Sequence, residues 1–181
     1  MKYTLALLLL LLCCATACKR KPDDVVADDI KKVQKINDNI NDYTLKQVDD
    51  LTAQMGGSIA GYYKDKEVKK IAAENYFDTC RTFTDYYFDD GMLIYVVEQN
   101  YIYNKPASYT EEVAKAHNDS VWYDDTKTRV EVNRFYFGKN KMVRWIAPGK
   151  KEVPITLPEF TDTESALWGK SLILLKELKE Q

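Results

Sequence analysis

The chain has 181 residues, a length typical of one domain. Hydrophobic residues make up 45% and charged residues 30%, so the composition is that of a folded globular protein and not of a disordered one. The net charge of −2, with no basic run beyond Lys19-Arg20-Lys21, argues against a nucleic-acid partner.

The first residues have the layout of an export signal. Lys2 precedes an apolar run from Leu5 to Leu12, which is too short to cross a bilayer because a spanning helix needs about 20 residues. The segment Ala15-Thr16-Ala17-Cys18 follows. It resembles the box of bacterial lipoproteins, where small residues precede a cysteine that becomes the lipidated N-terminus, with Ala15 at the position where leucine is usual.

The resemblance implies a signal peptide of residues 1–17, cleavage before Cys18 and fatty acyl chains on Cys18. The expected partner is therefore a membrane, reached through the lipid anchor, and the expected location is the cell envelope. Lys19 after the cysteine favours the outer membrane, since many Gram-negative lipoproteins with this pattern go there. The alternative is an ordinary secretory signal cleaved after Ala17, which would leave Cys18 as a free thiol.

After cleavage and lipidation, Cys80 is the one cysteine that remains, so no internal disulfide can form. The fold must then depend on its core, and Cys80 is interpreted as a small buried or half-buried residue.

Residues 18–23 are interpreted as a tether, and residues 24–181 as a single α+β domain. Apolar residues at spacings of three and four predict an amphipathic helix from Asp24 to about Asp42. Residues 43–51 fit either an edge strand or a second helical piece.

Three segments then share one hairpin pattern. In each, a Tyr precedes an aromatic residue, and apolar residues follow that aromatic five and eight positions later: Tyr62-Tyr63 with Val68 and Ile71, Tyr87-Phe88 with Leu93 and Val96, Tyr136-Phe137 with Met142 and Trp145. The middle copy has Asp90-Gly91 at its turn, a strong hairpin signal. The pattern predicts an antiparallel sheet of about six strands.

Two further helices are expected. Ser108 and Glu111 fit a capping box for a short helix from Tyr109 to about His117. Thr161 and Glu164 fit another, followed by an apolar stripe at Leu167, Trp168, Ser171, Leu174, Leu175 and Leu178. An extended piece at 153–157 lies between them. The N-terminal and the C-terminal helix are expected to pack on the sheet and to cover one of its faces.

The segment Asn133-Arg134-Phe135-Tyr136-Phe137, followed by Arg144-Trp145, resembles uncharacterised exported bacterial proteins with tyrosine-rich β-meanders. The resemblance covers the sheet region and implies no known activity.

The 13 tyrosines include three at equivalent hairpin positions, Tyr62, Tyr87 and Tyr136. Side chains alternate across a strand, so these three should point away from Tyr63, Phe88 and Phe137. On an open sheet such a row could stack on a glycan or hold a peptide, which makes the three tyrosines candidate ligand-binding residues. The alternative is cross-strand packing that only stabilises the sheet.

Catalytic and metal motifs are missing from the sequence. His117 is the only histidine, no nucleophile or zinc motif accompanies it, and it is interpreted as a solvent-side residue. Asp119, Asp124 and Asp125 share a loop, but their spacing does not match a calcium loop. No catalytic residue, metal site or cofactor is predicted.

The sequence therefore favours a non-enzymatic, membrane-anchored envelope lipoprotein that binds a ligand or protein partner through its sheet. One alternative is an accessory subunit of an envelope assembly, docked through its amphipathic helices. A hydrolase that uses carboxylates from distant loops is the least favoured alternative.

Overall fold

Each strand of the protein pairs with the next strand along the chain. The computed structural model describes residues 21–50 and 54–180, so the predicted signal peptide and Cys18 lie outside the described residues. One antiparallel sheet has the order β1 to β8 without a crossover. The strands are β1 Thr44–Asp49, β2 Gly57–Lys64, β3 Glu67–Tyr76, β4 Cys80–Asp89, β5 Met92–Ile102, β6 Arg129–Gly138, β7 Lys141–Ala147 and β8 Lys151–Glu152; the helices are α1 Pro22–Asp38, α2 Glu111–Ala116 and α3 Pro158–Glu180.

The α+β class and the antiparallel sheet are confirmed, but the strand number of about six is wrong. The sheet has eight strands, because β1 and β8 extend it at its two edges. β1 is the segment that fitted either a strand or a helix, and it pairs with β2 from Thr44–Tyr63 to Asp49–Ser58. β8 has only two residues and pairs with the end of β7. The predicted extended piece at 153–157 starts where β8 has already ended.

The three hairpins predicted from the shared pattern form β2–β3, β4–β5 and β6–β7. Each turn has two residues, and both have positive φ: 51° and 71° at Asp65-Lys66, 49° and 70° at Asp90-Gly91, 52° and 61° at Lys139-Asn140. Two consecutive left-handed residues match the twist of the flanking strands. The asparagine side chain also joins neighbouring hairpins, because Asn140 Oδ1 accepts from the Leu93 backbone N–H at 2.9 Å.

A β-bulge follows each turn at the same place. The register shifts between Tyr62 and Tyr63, between Tyr87 and Phe88, and between Tyr136 and Phe137. The extra residues are Lys69, Ile94 and Val143 on the returning strands. The bulge explains how apolar residues three positions apart, such as Leu93 and Val96, both enter the main core.

The sheet separates two apolar clusters. The main core lies between the sheet and α3, where Phe88, Phe137 and Leu93 meet Leu174 and Leu178. A smaller cluster lies on the other face, where Ile36 of α1 packs with Tyr87 and Ile94. The expectation that the helices cover one face is therefore wrong, because α1 and α3 pack on opposite faces. We call these two sides of the sheet the α3 face and the α1 face.

Helix α3 crosses the width of the sheet. Its 23 residues span about 34 Å, close to the width of eight strands spaced about 4.8 Å apart. Near its start, Glu164 accepts from the Met142 backbone N–H at 3.0 Å and from Lys141 at 2.9 Å. Near its end, Leu178 packs over Gly61 of β2, where a Cβ would come within 2.8 Å of the leucine.

Both predicted capping boxes are wrong. Helix α2 is capped by Thr110, whose side chain accepts from the Val113 N–H, while Ser108 bonds Asp78. Helix α3 begins at Pro158, which has no N–H to leave unsatisfied, and Glu164 is tied to the β6–β7 hairpin.

The N-terminal helix is shifted relative to its prediction. It begins at Pro22, inside the segment interpreted as tether, and ends at Asp38, before a short 3₁₀ turn at Ile40–Asp42. Asp23 and Asp24 lie in its first turn, where their negative charges interact favourably with the positive end of the helix dipole.

We expect Gly61→Ala to destabilise the protein by about 1–3 kcal/mol, because the added methyl would meet fully buried Leu178 and the Tyr63 ring at 2.9 Å. Gly169→Ala is the matched control. Its Cβ would meet nothing within 4 Å, and alanine in a helix interior should add about 0.5–1 kcal/mol. Urea denaturation measures both, and equal stability of the two variants would contradict the close approach of α3 to β2.

Candidate functional site

The predicted tyrosine row runs straight across the sheet. In register, six residues follow one another from β2 to β7: Tyr62, Lys70, Tyr87, Tyr95, Tyr136 and Arg144. The Lys70 ammonium lies 6.0 Å from the Tyr62 ring centre and 5.2 Å from that of Tyr87. The rings of Tyr87, Tyr95 and Tyr136 follow one another at 5.7 and 5.0 Å. The three predicted tyrosines therefore share one face, opposite the main core.

Helix α1 covers the middle of this row. Tyr87 is 3% exposed and Tyr136 is 8% exposed, while Tyr62 is half-buried. The Tyr87 hydroxyl donates to Asn37 Oδ1 of α1 at 3.0 Å, and burial raises the pKa values of Tyr87 and Tyr95. The row is packed as in the cross-strand alternative, so ligand binding by these tyrosines stays a prediction that would require α1 to move.

Charged contacts hold α1 against the sheet at two places. Lys32 lies 2.7 Å from Asp89. Arg144, the last residue of the row, lies 2.5 Å from Asp23 of α1 and 3.1 Å from Glu152 of β8. With the Asn37–Tyr87 bond, these pairs set where the helix lies on the sheet.

The side of α1 that faces the sheet carries one buried acidic residue. Asp29 is 4% exposed, and its Oδ2 has no hydrogen-bond partner among the described residues. Burial raises the pKa of Asp29 to about 7, and the carboxylates of Asp28 and Asp89 act in the same direction against the opposing charge of Lys32.

A cleft of about 390 Å³ opens on the other side of the sheet, beneath the first half of α3. Its floor is formed by β4–β7 and its wall by the helix. The lining residues are Tyr86, Glu98, Asn133, Phe135, Trp145, Thr163, Ala166, Leu167 and Lys170. A concave site with aromatic walls and a few convergent polar groups is the usual form of a small-molecule site.

The polar residues of the cleft floor form one hydrogen-bonded network. Glu98 Oε1 accepts from the side-chain amides of Asn100 at 2.9 Å and Asn133 at 3.3 Å. Asn133 accepts in turn from the Trp145 indole N–H at 3.0 Å, and Thr82 donates to Asn100 at 2.9 Å. The network fixes the orientation of the carboxylate and of the indole before any ligand is present.

The sequence prediction missed the cleft, although a signal was available. Val96 and Phe135 belong to the main core. By strand alternation Glu98, Asn100 and Asn133 therefore point to the same side. Polar residues are unusual at strand positions that point to the same side as core residues, because burial of polar groups without partners is costly.

A second cavity, of about 430 Å³, lies at the hairpin tips between α1 and the β2–β3 turn. It is lined by Lys32, Lys35, Ile36, Tyr43, Lys64, Asp65, Glu67, Lys69 and Asp89. Two of its four lysines are already paired, Lys32 with Asp89 and Lys69 with Glu67, each at 2.7 Å. It lacks the fixed network and the aromatic walls of the cleft.

The remaining sequence candidates lie apart from the cleft. His117 is exposed at the end of α2, stacked on Tyr109. Asp119 bonds Lys105 at 3.0 Å, Asp124 bonds the Thr126 side chain, and Asp125 bonds Tyr123. Within residues 21–50 and 54–180, no three His, Cys, Asp or Glu side chains converge as metal ligands, and no helix is long and apolar enough to cross a membrane.

We expect the stability of the wild-type protein to fall between pH 5 and pH 8 because of Asp29. Its pKa in the folded state is about 7, above the 3.8 of a free aspartate. The contribution of Asp29 to the free energy of unfolding is therefore fully present below about pH 4 and is lost as the pH rises through 7. Asp29→Asn should remove this fall, a difference on the order of 2 kcal/mol between the two pH values. Urea denaturation at both pH values measures it, with Asp38→Asn, an exposed acid on the same helix, as control; the same slope in both variants would rule Asp29 out.

No protein family, curated protein or solved structure matches this chain. The functional proposal therefore rests on the side chains of the cleft and on the N-terminal sequence.

Proposed function

We propose that the protein is an envelope lipoprotein, anchored through Cys18, that binds a small ligand in the cleft between α3 and the sheet and performs no chemistry on it. The cleft carries the proposal, because its polar groups are already held in place by hydrogen bonds and Trp145 beside them is only half-buried. Binding thus uses the sheet, through its α3 face.

Several features support binding over catalysis at this site. Glu98 is the one carboxylate in the lining, so no acid pair is available for hydrolysis. Its Oε1 is engaged by two amide groups, which orient it as a binding group. Tyr86 stays a neutral phenol, since burial and the charge of Glu98 both raise its pKa.

The anchor proposal rests on the box Ala15-Thr16-Ala17-Cys18. Helix α1 begins at Pro22, four residues after Cys18, and four extended residues reach at most about 14 Å. A lipid on Cys18 would therefore keep the start of α1 beside the bilayer, with the outer membrane as the proposed location. Several acyl chains would hold it firmly, because each buried methylene contributes about 0.8 kcal/mol.

We expect the mature protein from bacterial membranes to begin with an acylated Cys18. Mass spectrometry of the N-terminal peptide measures this directly, and Cys18→Ser should abolish the modification and move the protein out of the membrane fraction. Cys80→Ser should change neither result, because Cys80 lies in β4 of the folded domain. An unmodified Cys18 with residues 1–17 still attached would refute the anchor.

We expect Ala166→Trp to block ligand binding, because Ala166 is an exposed residue in the wall of the cleft and an indole there would fill the opening. Thermal unfolding with a panel of sugars, amino acids and amines provides the test. A ligand at about 100 times its Kd adds about 2.7 kcal/mol of stability, enough to raise Tm by several degrees. Such a rise should occur in the wild type and be lost in Ala166→Trp.

Ser165→Trp is the matched control, since Ser165 is exposed on the same helical turn and does not line the cleft. If no compound distinguishes Ala166→Trp from this control, cleft binding is contradicted. The alternative of an assembly subunit would then be favoured, with Leu172 and Ile173, 47% and 52% exposed on α3, as its contact residues.

A further inference from the structure

The chemistry of the cleft identifies a class of ligand, and this step rests on the proposed function. Glu98 makes no ion pair with any of the described residues. Its two partners are neutral amides, and both bond the same oxygen, Oε1. The second oxygen, Oε2, has no such donor, so the floor of the cleft carries a negative charge without a matching cation.

Lys170 is the one basic residue in the lining, and it faces a different carboxylate. Its ammonium lies 4.0 Å from Asp50 Oδ2, and the Asp50 side chain is 1% exposed. A buried carboxylate draws the lysine strongly, because an opposite charge lowers the cost of its burial. The charge of Lys170 is therefore shared with Asp50 and offsets the charge of Glu98 only in part.

Three aromatic side chains line the cleft beside Glu98. Tyr86 of β4 lines the cleft with Glu98, and Phe135 of β6 lies two residues after Asn133. The ring centres of Trp145 and Phe135 are 5.5 Å apart. Aromatic faces attract cations through the ring quadrupole, and aromatic side chains commonly recognise quaternary ammonium groups in this way. A neutral ligand could donate a hydrogen bond to the carboxylate but would bring no opposite charge to balance it.

We infer that the cleft binds a small organic cation, a quaternary ammonium compound, with its charged nitrogen between the Glu98 carboxylate and the half-buried ring of Trp145. The fixed bonds of Asn100 and Asn133 keep the carboxylate turned toward this position. Desolvation beneath α3 strengthens the attraction, since charges interact more strongly away from bulk water.

Choline and its neutral isostere 3,3-dimethylbutan-1-ol test this inference on the purified protein. The Trp145 indole N–H signal, assigned by its absence in Trp145→Phe, reports binding in the cleft by NMR. Choline should shift this signal in a saturable way, and the isostere should bind about tenfold more weakly or worse, a difference of about 1.4 kcal/mol. Glu98→Gln should lower choline affinity by at least the same factor.

Glu131→Gln is the matched control. Glu131 lies on β6 two residues before Asn133, on the same face of the sheet but outside the cleft lining, so its loss should leave choline binding unchanged. If the isostere or glucose shifts the signal as strongly as choline, or if Glu98→Gln binds choline as well as the wild type, the cationic ligand is wrong while cleft binding stands. A choline titration without a saturable shift also overturns the inference, and the Ala166→Trp comparison then decides the proposed function separately.

Discussion

The bulge after each hairpin turn decides which side chains reach which face of the sheet. It places two consecutive residues on the α1 face, Lys69-Lys70, Ile94-Tyr95 and Val143-Arg144, and thereby returns Ile71, Val96 and Trp145 to the α3 face. Without it, strand alternation would turn one of each pair of core residues to the wrong side. The same bulge, at the same distance from each of the three turns, aligns the row from Tyr62 to Arg144 on the α1 face. On the α3 face it aligns the pairs Tyr63–Val68, Phe88–Leu93 and Phe137–Met142. Helices α1 and α3 pack on the two surfaces that result.

The two faces are stabilised differently. On the α3 face, large apolar residues such as Phe88 and Leu174 are fully buried, each contributing on the order of 2 kcal/mol through the hydrophobic effect. On the α1 face, contacts are mixed: rings, the Tyr87–Asn37 bond and the charged pairs of Lys32 and Arg144. Exposed pairs of this kind contribute little, about 0–1 kcal/mol each, and Asp29 opposes docking above pH 7. Helix α1 is therefore the more weakly held of the two long helices.

Much of this fold follows from the sequence, because the three hairpins carry strong local signals. Asp90-Gly91 and the repeated Tyr-aromatic pairs gave the turns, the strand pairs and the face of each tyrosine. The sequence could not show which face would be covered, since α1 reaches the tyrosine row only through contacts between residues distant in the chain, such as Asn37 with Tyr87. For a related reason the sequence left β1 undecided between strand and helix and did not show β8. β1 has few apolar residues and β8 has two residues in all, so both are formed by pairing with a neighbour and not by their own propensity.

The floor of the cleft has polar residues at strand positions where apolar residues would continue the core. A core face continued by Leu, Val or Phe at residues 98, 100 and 133 would bury more apolar surface and leave no carboxylate to satisfy. Instead, the cleft floor has a hydrogen-bonded network of Glu98, Asn100 and Asn133 that also holds the Trp145 indole. The network limits the free-energy cost of burying these polar groups, but it does not make the sheet more stable than an apolar core would. Such departures concentrate at functional sites, because binding needs polar groups that folding alone would avoid. The cleft beneath α3, and not the tyrosine row beneath α1, is therefore the part of this sheet whose residues are best explained by binding.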